Sequence, residues 1–113
     1  MSRPILATID LAALAHNLSV APRHVPAART LAVLKANAYG HGLARAARAL
    51  AAADGFGLSE LDSAVRLREG GYGRPIVLLE GVFEPSELPL IARHAIATVV
   101  HCREQVDMLT GLP

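Results

Sequence analysis

At 113 residues with 52% hydrophobic side chains, the chain is long enough for one domain with a real core and too short for two, and its apolar content argues against disorder. A formal net charge of +1, with the basic residues scattered, removes the electrostatic case for nucleic acid or for an anionic membrane surface. The one cysteine, Cys102, excludes an intrachain disulfide; no apolar run approaches the roughly 20 residues of a membrane span, and no signal-peptide pattern opens the chain, so the expected setting is cytoplasmic and reducing.

Ile5 to Ile9 reads as a short leading strand, closed by Asp10 as a helix N-cap. Leu11, Leu14, Ala15 and Leu18 recur at helical spacing, which predicts a helix over 11–20 that Pro22 ends. A proline-containing loop leads to an apolar strand at Ala32 to Leu34. Lys35 and a glycine-bearing loop follow, then a helix from about Gly42 to Ala53 with Gly55 as its left-handed terminator. Phe56 to Leu58 is the next strand, and Ser59 with Asp62 has capping-box spacing for a helix carrying Leu61, Ala64, Val65 and Leu67 that Gly70 and Gly71 stop. Ile76 to Leu79 is the clearest strand, apolar on both faces as in a parallel sheet covered on both sides. Ser86 is placed to cap a helix with Pro89 in its first turn, ending near His94. Ala97 to Val100 is a strand and Glu104 to Leu109 a last helix, stopped by Gly111. Arg45, Arg48, Arg66 and Arg68 read as solvated helix faces, and Cys102 as a small buried hydrophobe rather than a nucleophile.

Strands recurring every 20 or so residues, each followed by a helix, mean βα units with right-handed crossovers and a parallel sheet. A closed eightfold barrel needs about 250 residues. Four units are therefore either a small open sheet or the first half of a barrel. The chemistry concentrates at Leu31–Gly42, where the chain's only lysine, Lys35, falls at the carboxyl end of a strand, the edge at which α/β folds place their sites. A lysine there can hold a phosphate, act as a general base, or form a Schiff base. Tyr39 offers a phenol, Gly40 and Gly42 allow a ligand close to the backbone, and the next helix N-terminus offers free N–H groups to an anion. The residues alone leave open a plain surface lysine before a glycine turn.

The run Val33-Leu34-Lys35-Ala36-Asn37-Ala38-Tyr39-Gly40-His41-Gly42 resembles the pyridoxal-phosphate attachment motif of bacterial alanine racemases, of the fold type III class. The flanks are similar in the same order: Ala7 to Leu11 with His16-Asn17-Leu18, Gly57 to Leu61, Leu67 to Gly71, Ile76 to Gly81, and Val99-Val100-His101 with Glu104-Gln105. The resemblance implies an α/β fold, the first four or so βα units of a TIM-type (β/α)8 barrel, with residues 1–113 an incomplete barrel domain and residues 1–10 a leading strand. It implies that Lys35 carries pyridoxal 5'-phosphate and exchanges the substrate's α-proton on the face relevant to D-alanine, interconverting L- and D-alanine for peptidoglycan. Tyr39 is then expected at the cofactor's phosphate end and Leu79 near its ring; Asn37 and His41 are expected to shape the loop after Lys35. No metal, nucleic acid or membrane partner is expected, and the full-length enzyme is expected to be a cytoplasmic homodimer. The family's second base, a tyrosine from the partner subunit, and the arginines that bind the substrate carboxylate and the ring nitrogen fall outside these residues. Tyr72, in a glycine turn, does not replace that base. The 113-residue chain alone is therefore expected to be inactive, the alternative being a non-catalytic truncated α/β module that binds pyridoxal phosphate or another phosphorylated ligand.

Overall fold

The computed structural model describes residues 3–111. Four short strands, β1 (Leu31–Val33), β2 (Gly55–Leu58), β3 (Ile76–Leu78) and β4 (Ala97–Thr98), form one parallel sheet in sequential order. Val33 pairs with Gly57, Gly57 with Val77, and Val77 with Ala97, so one row of residues runs straight across the sheet. The helices are α1 (Leu11–His24), a short turn α2 (Lys35–Tyr39), α3 (Leu43–Ala49), α4 (Leu61–Glu69), α5 (Leu88–Arg93) and α6 (Arg103–Thr110), with a 3-10 turn at Pro85–Glu87 before α5. Strand and helix alternate without an antiparallel pair, as the spacing of apolar runs required.

The core lies between the sheet and α3, α4 and α5. Phe56, Leu58, Ile76 and Leu78 project into it and are at most 1% exposed, meeting Leu43, Ala46, Ala64, Leu67, Leu88 and Ile91 from the helices. The alternate residues face the other way and find no cover. Leu31 is 41%, Val33 37% and Val99 38% exposed, so the apolar runs that suggested a sheet covered on both sides have a helical layer on one side only. The Cα radius of gyration is 16.3 Å, against the about 13 Å of a compact domain of this length. An open layer, rather than a closed globule, accounts for the difference.

Several local expectations give way to tertiary constraints. Residues 4–10 form no strand: Ile5 and Leu6 are 86% and 89% exposed, because no neighbouring strand supplies a hydrogen-bond ladder; Met1 and Ser2 of that expected segment lie outside the described residues. Asp10 does cap α1, accepting from Ala13 N at 3.0 Å, but the helix runs through Pro22 to His24, since proline in a last turn deletes only one bond. Helix α3 stops at Ala49 rather than Ala53, and Gly55 is a β2 residue with no positive φ. Glycine is required there by proximity: a Cβ would sit 2.8 Å from Pro75 O. Ser59 and Ser86 do not cap their helices; Ser59 Oγ donates to Glu80, and the Glu84–Glu87 pair forms the capping box before α5. Strand β4 is shorter than expected, ending at Thr98.

Two side chains also depart from their expected surroundings. Cys102 is exposed at the N-cap of α6 rather than buried, because it precedes a helix instead of lying on a strand. Arg68 is half-buried rather than solvated: its guanidinium donates to the carbonyls of Tyr72, Arg74, His94 and Ala95 at 2.6–3.0 Å, tying together the loops that enter β3 and β4. Tyr72 stacks on Phe56 with centroids 4.4 Å apart, and burial pushes its phenol pKa up, partly offset by Arg74 and Arg68. Phe56 thus joins the sheet core to the amino-edge loops. Phe56→Ala is expected to cost about 3–5 kcal/mol of unfolding free energy, the range for emptying a fully buried phenylalanine site, measured by chemical denaturation. A loss below about 1 kcal/mol would contradict this account of the core.

Candidate active site at the carboxyl edge of the sheet

Strand β1 ends at Val33, and Leu34 continues the ladder by donating its N–H to Gly57 O at 2.9 Å. Leu79 N likewise donates to Leu58 O and Val99 N to Leu78 O, so the ladder runs one step past β1, β3 and β4. Lys35, Ser59, Leu79 and Val99 thus each follow at or just past the carboxyl end of a strand. Leu79 and Leu31 lie on the uncovered face: a Cβ built on Gly57 would meet Leu79 Cδ1 at 3.2 Å and Leu31 Cδ2 at 3.4 Å. The two leucine side chains thus lie over the buried Gly57 and make a small apolar patch on that face.

Lys35 opens α2, which is not an ordinary helical turn. Ala36, Asn37, Ala38 and Tyr39 all have φ between 54° and 56°, and Gly40 follows at 88°. Four successive L-residues are therefore left-handed, a conformation costing roughly 1–2 kcal/mol at each. The surroundings hold it. Ala38 is buried, with its N–H bonded to Leu34 O at 3.0 Å; Gly40 N bonds to Ala36 O and Gly42 N to Asn37 O. The Asn37 carboxamide accepts from Leu43 N at 2.9 Å, and His41 Nδ1–H donates to Ala38 O at 2.9 Å. Asn37 and His41 thus shape the loop, and Asn37 occupies an N–H at the start of α3 that sequence reading left free for an anion.

The turn sends the chain away from the sheet quickly, leaving Lys35 half-buried at its root and Tyr39 58% exposed at its outer end. Among the described residues no carboxylate pairs with Lys35; the one ion pair is Arg103–Asp107 on α6, well exposed. A Cβ at Gly40 would meet nothing within 4 Å, so the space beside the turn is open. An amine, a phenol and an apolar patch along one edge suit a flat carbonyl compound bearing a phosphate: the amine for the carbonyl, the phenol for the phosphate, the leucines for the ring. Tyr72 belongs elsewhere. It stacks on Phe56 below the amino end of β3, with its hydroxyl buried and unpaired, so it cannot face Lys35.

Sequence reading missed the polar set behind this edge. Glu80, Val82, His101 and Gln105 converge there, around Gly81, through hydrogen bonds spanning 21–25 residues. Gly81, just after a strand, was the one visible sign. Among the described residues no group of three or more His, Cys, Asp or Glu could hold a metal, and no helix is long and apolar enough to cross a membrane.

A parallel βα sheet with a lysine at its carboxyl edge defines a class of lysine-bearing βα-barrel proteins. The sequence profile "Alanine racemase, N-terminal domain" matches residues 9–113, and the chain belongs to that family. It is 59% identical over 112 residues to an alanine racemase of Nitrosospira multiformis, covering 99% of this chain and 31% of the relative, and 56% identical over 118 residues to one of Nitrosomonas europaea, covering 100% and 33%. The biosynthetic alanine racemase of Pseudomonas aeruginosa superposes with a TM-score of 0.92 at 41% identity, over 97% of this chain and 32% of that one. A histidine racemase of Leuconostoc mesenteroides superposes at 0.74 with 35% identity, over 89% and 28%. The chain thus spans about a third of the curated relatives it matches, and the expected fold, the opening units of a TIM-type barrel, is what it forms.

The left-handed turn makes an inverted prediction. Ala36→Gly, at an exposed residue where glycine relieves strain, is expected to leave stability unchanged or raise it by up to about 1 kcal/mol. Ala15→Gly, exposed within α1, is expected to cost roughly 1 kcal/mol. Thermal unfolding of the two variants should move in opposite directions or differ by several degrees; equal losses would remove the turn from the account.

Proposed function

We propose that this chain provides one half of the active site of a pyridoxal-phosphate-dependent amino-acid racemase acting on alanine, with Lys35 as both tether of the cofactor and proton carrier. The observation that carries the reading is the position of the chain's single lysine just past the carboxyl end of β1, at the root of a strained turn. Pyridoxal phosphate, when bound, supplies an electron sink that lets the α-hydrogen of a linked amino acid leave as a proton.

The chain's own residues then have separate tasks. Lys35 Nζ would tether the cofactor at its carbonyl carbon, the carbonyl oxygen leaving as water, and once a substrate amine takes its place it would take or return the α-proton on one face. Tyr39 Oη, at the outer end of the turn that Lys35 opens, would donate to the phosphate. Leu79, whose side chain lies over Gly57, would exclude water beside the ring. A base on the opposite face is also needed, and neither tyrosine of this chain can be it: Tyr39 shares the turn with Lys35, and Tyr72 lies at the other edge. The reading therefore places that base, and the groups for the substrate carboxylate, in a further domain and a partner subunit of a cytoplasmic homodimer, whose product supplies peptidoglycan precursors. The 113 residues by themselves are expected to be inactive.

A histidine racemase shares this βα frame, so the fold by itself does not name the substrate, and alanine is part of the proposal. The test uses the full-length gene product. Borohydride reduction in the presence of pyridoxal phosphate should label Lys35, located by peptide mapping, and Lys35→Ala should lose both the label and D-alanine formation from L-alanine, by at least about a thousandfold as for a lost nucleophile. Tyr39→Phe should retain the label while weakening cofactor affinity roughly tenfold, the effect of one hydrogen bond to a charged group. Label at another site, turnover by Lys35→Ala, or activity on histidine in place of alanine would each overturn the corresponding part.

A further inference from the structure

We propose that the buried carboxamide of Gln105 is a positioning residue for the cofactor site, holding the loop after β3 so that Leu79 keeps its place on the edge that carries Lys35; the inference rests on the reading of that edge just given. Gln105 is the one buried residue of α6, 3% exposed on a helix whose other side chains are exposed or half-buried. Its Nε2 donates to Glu80 O at 3.0 Å and Val82 O at 3.2 Å, and its Oε1 accepts from His101 N at 2.8 Å. Both amide donors and the acceptor are thereby used. His101 Nε2–H adds a second bond to Glu80 O at 2.8 Å.

Between the two held carbonyls lies Gly81, with φ +79°. A Cβ there would collide with the Gln105 amide and come within 2.5 Å of Val99 O, so the loop passes flush beneath the carboxamide and admits no side chain. On the other flank, Ser59 Oγ donates to Glu80 Oε1 at 3.0 Å. The loop that begins with Leu79 is thus tied to the loops after both β2 and β4. Core closure alone does not call for this arrangement, since Val82, Leu88 and Ile91 already pack the covered side with apolar groups. A polar clamp holds backbone carbonyls at fixed positions, which matters where the next residue along must meet a ligand.

The experiment titrates the apo form of the full-length gene product with pyridoxal phosphate, reading the dissociation constant from the change in visible absorbance, alongside the unfolding midpoint. Gln105→Leu, which fills the volume but leaves Val82 O and His101 N–H without their partner and Glu80 O with His101 alone, is expected to weaken cofactor binding about tenfold. Arg68→Met serves as the stability control, cutting four carbonyl contacts at the opposite edge of the sheet. It should lower the unfolding midpoint at least as far while leaving the dissociation constant within about twofold of the parent, because it reaches no ligand-facing residue. Should Gln105→Leu fail to fold, Gln105→Glu keeps the bond from His101 N–H, loses the donors, and is expected to give the same weakening. Unchanged binding in the folded Gln105 variant, or equal weakening by Arg68→Met, would overturn the positioning role while leaving the reading of Lys35 intact. No binding by the parent protein would overturn both.

Discussion

Four consecutive left-handed residues immediately after the first strand are the constraint on which the remainder depends. Right-handed continuation from Lys35 would carry the chain on as a helix over the carboxyl edge; the left-handed turn reverses it within five residues and delivers it to α3 on the covered side. The turn persists because its strain, roughly 1–2 kcal/mol per residue, is offset locally and by packing. Asn37 substitutes for a missing cap at α3, His41 secures a carbonyl of the turn, and burial of Ala38 makes unwinding expose apolar surface. Strain concentrated at a site and compensated around it is typical of places where a side chain must be presented in one orientation.

The sheet adds a second asymmetry. One face carries the whole hydrophobic core, with Phe56, Leu58, Ile76 and Leu78 excluded from solvent, while the other presents leucine and valine to it. Both outer strands have free edges, which a closed barrel would pair. The two ends of the sheet differ as well. At the amino edge, Arg68 and Arg74 bind loop carbonyls and Thr30 pairs with Asp54, a set that secures the frame. At the carboxyl edge the polar groups are Lys35, Tyr39 and the Ser59–Glu80–Gln105 network, the arrangement barrels use to separate stability from chemistry.

Much of this was legible from residue order. Ile76-Val77-Leu78 is apolar because it is central in the sheet, and its neighbours in sequence are the turns that flank it, so a local pattern suffices to find it. Lys35 stood out as a lone lysine at the end of such a run. What escaped were features whose cause lies far along the chain. Gly55 looks like a helix terminator, but Pro75 explains it; Ser59 looks like a cap, but Glu80 takes its hydroxyl; Arg68 looks solvated, but it also reaches the carbonyls of His94 and Ala95, 26 and 27 residues further on. The hand of the turn at Ala36 was equally hidden, since alanine on its own favours the right-handed helix.

The sequence by itself thus determined the order of strands and helices, the parallel sheet they imply, and the lone lysine at its carboxyl edge. These follow from apolar periodicity and turn chemistry acting over a few residues. Only the tertiary structure decided which face of the sheet is covered, that the chain leaves Lys35 by a left-handed turn, and that a glutamine on the last helix holds the loop beside Leu79. The covered face and the glutamine clamp depend on packing, hydrogen bonds and close approaches between segments 20 or more residues apart, whose partners no local pattern can name; the turn is held by bonds within six residues together with the burial of Ala38.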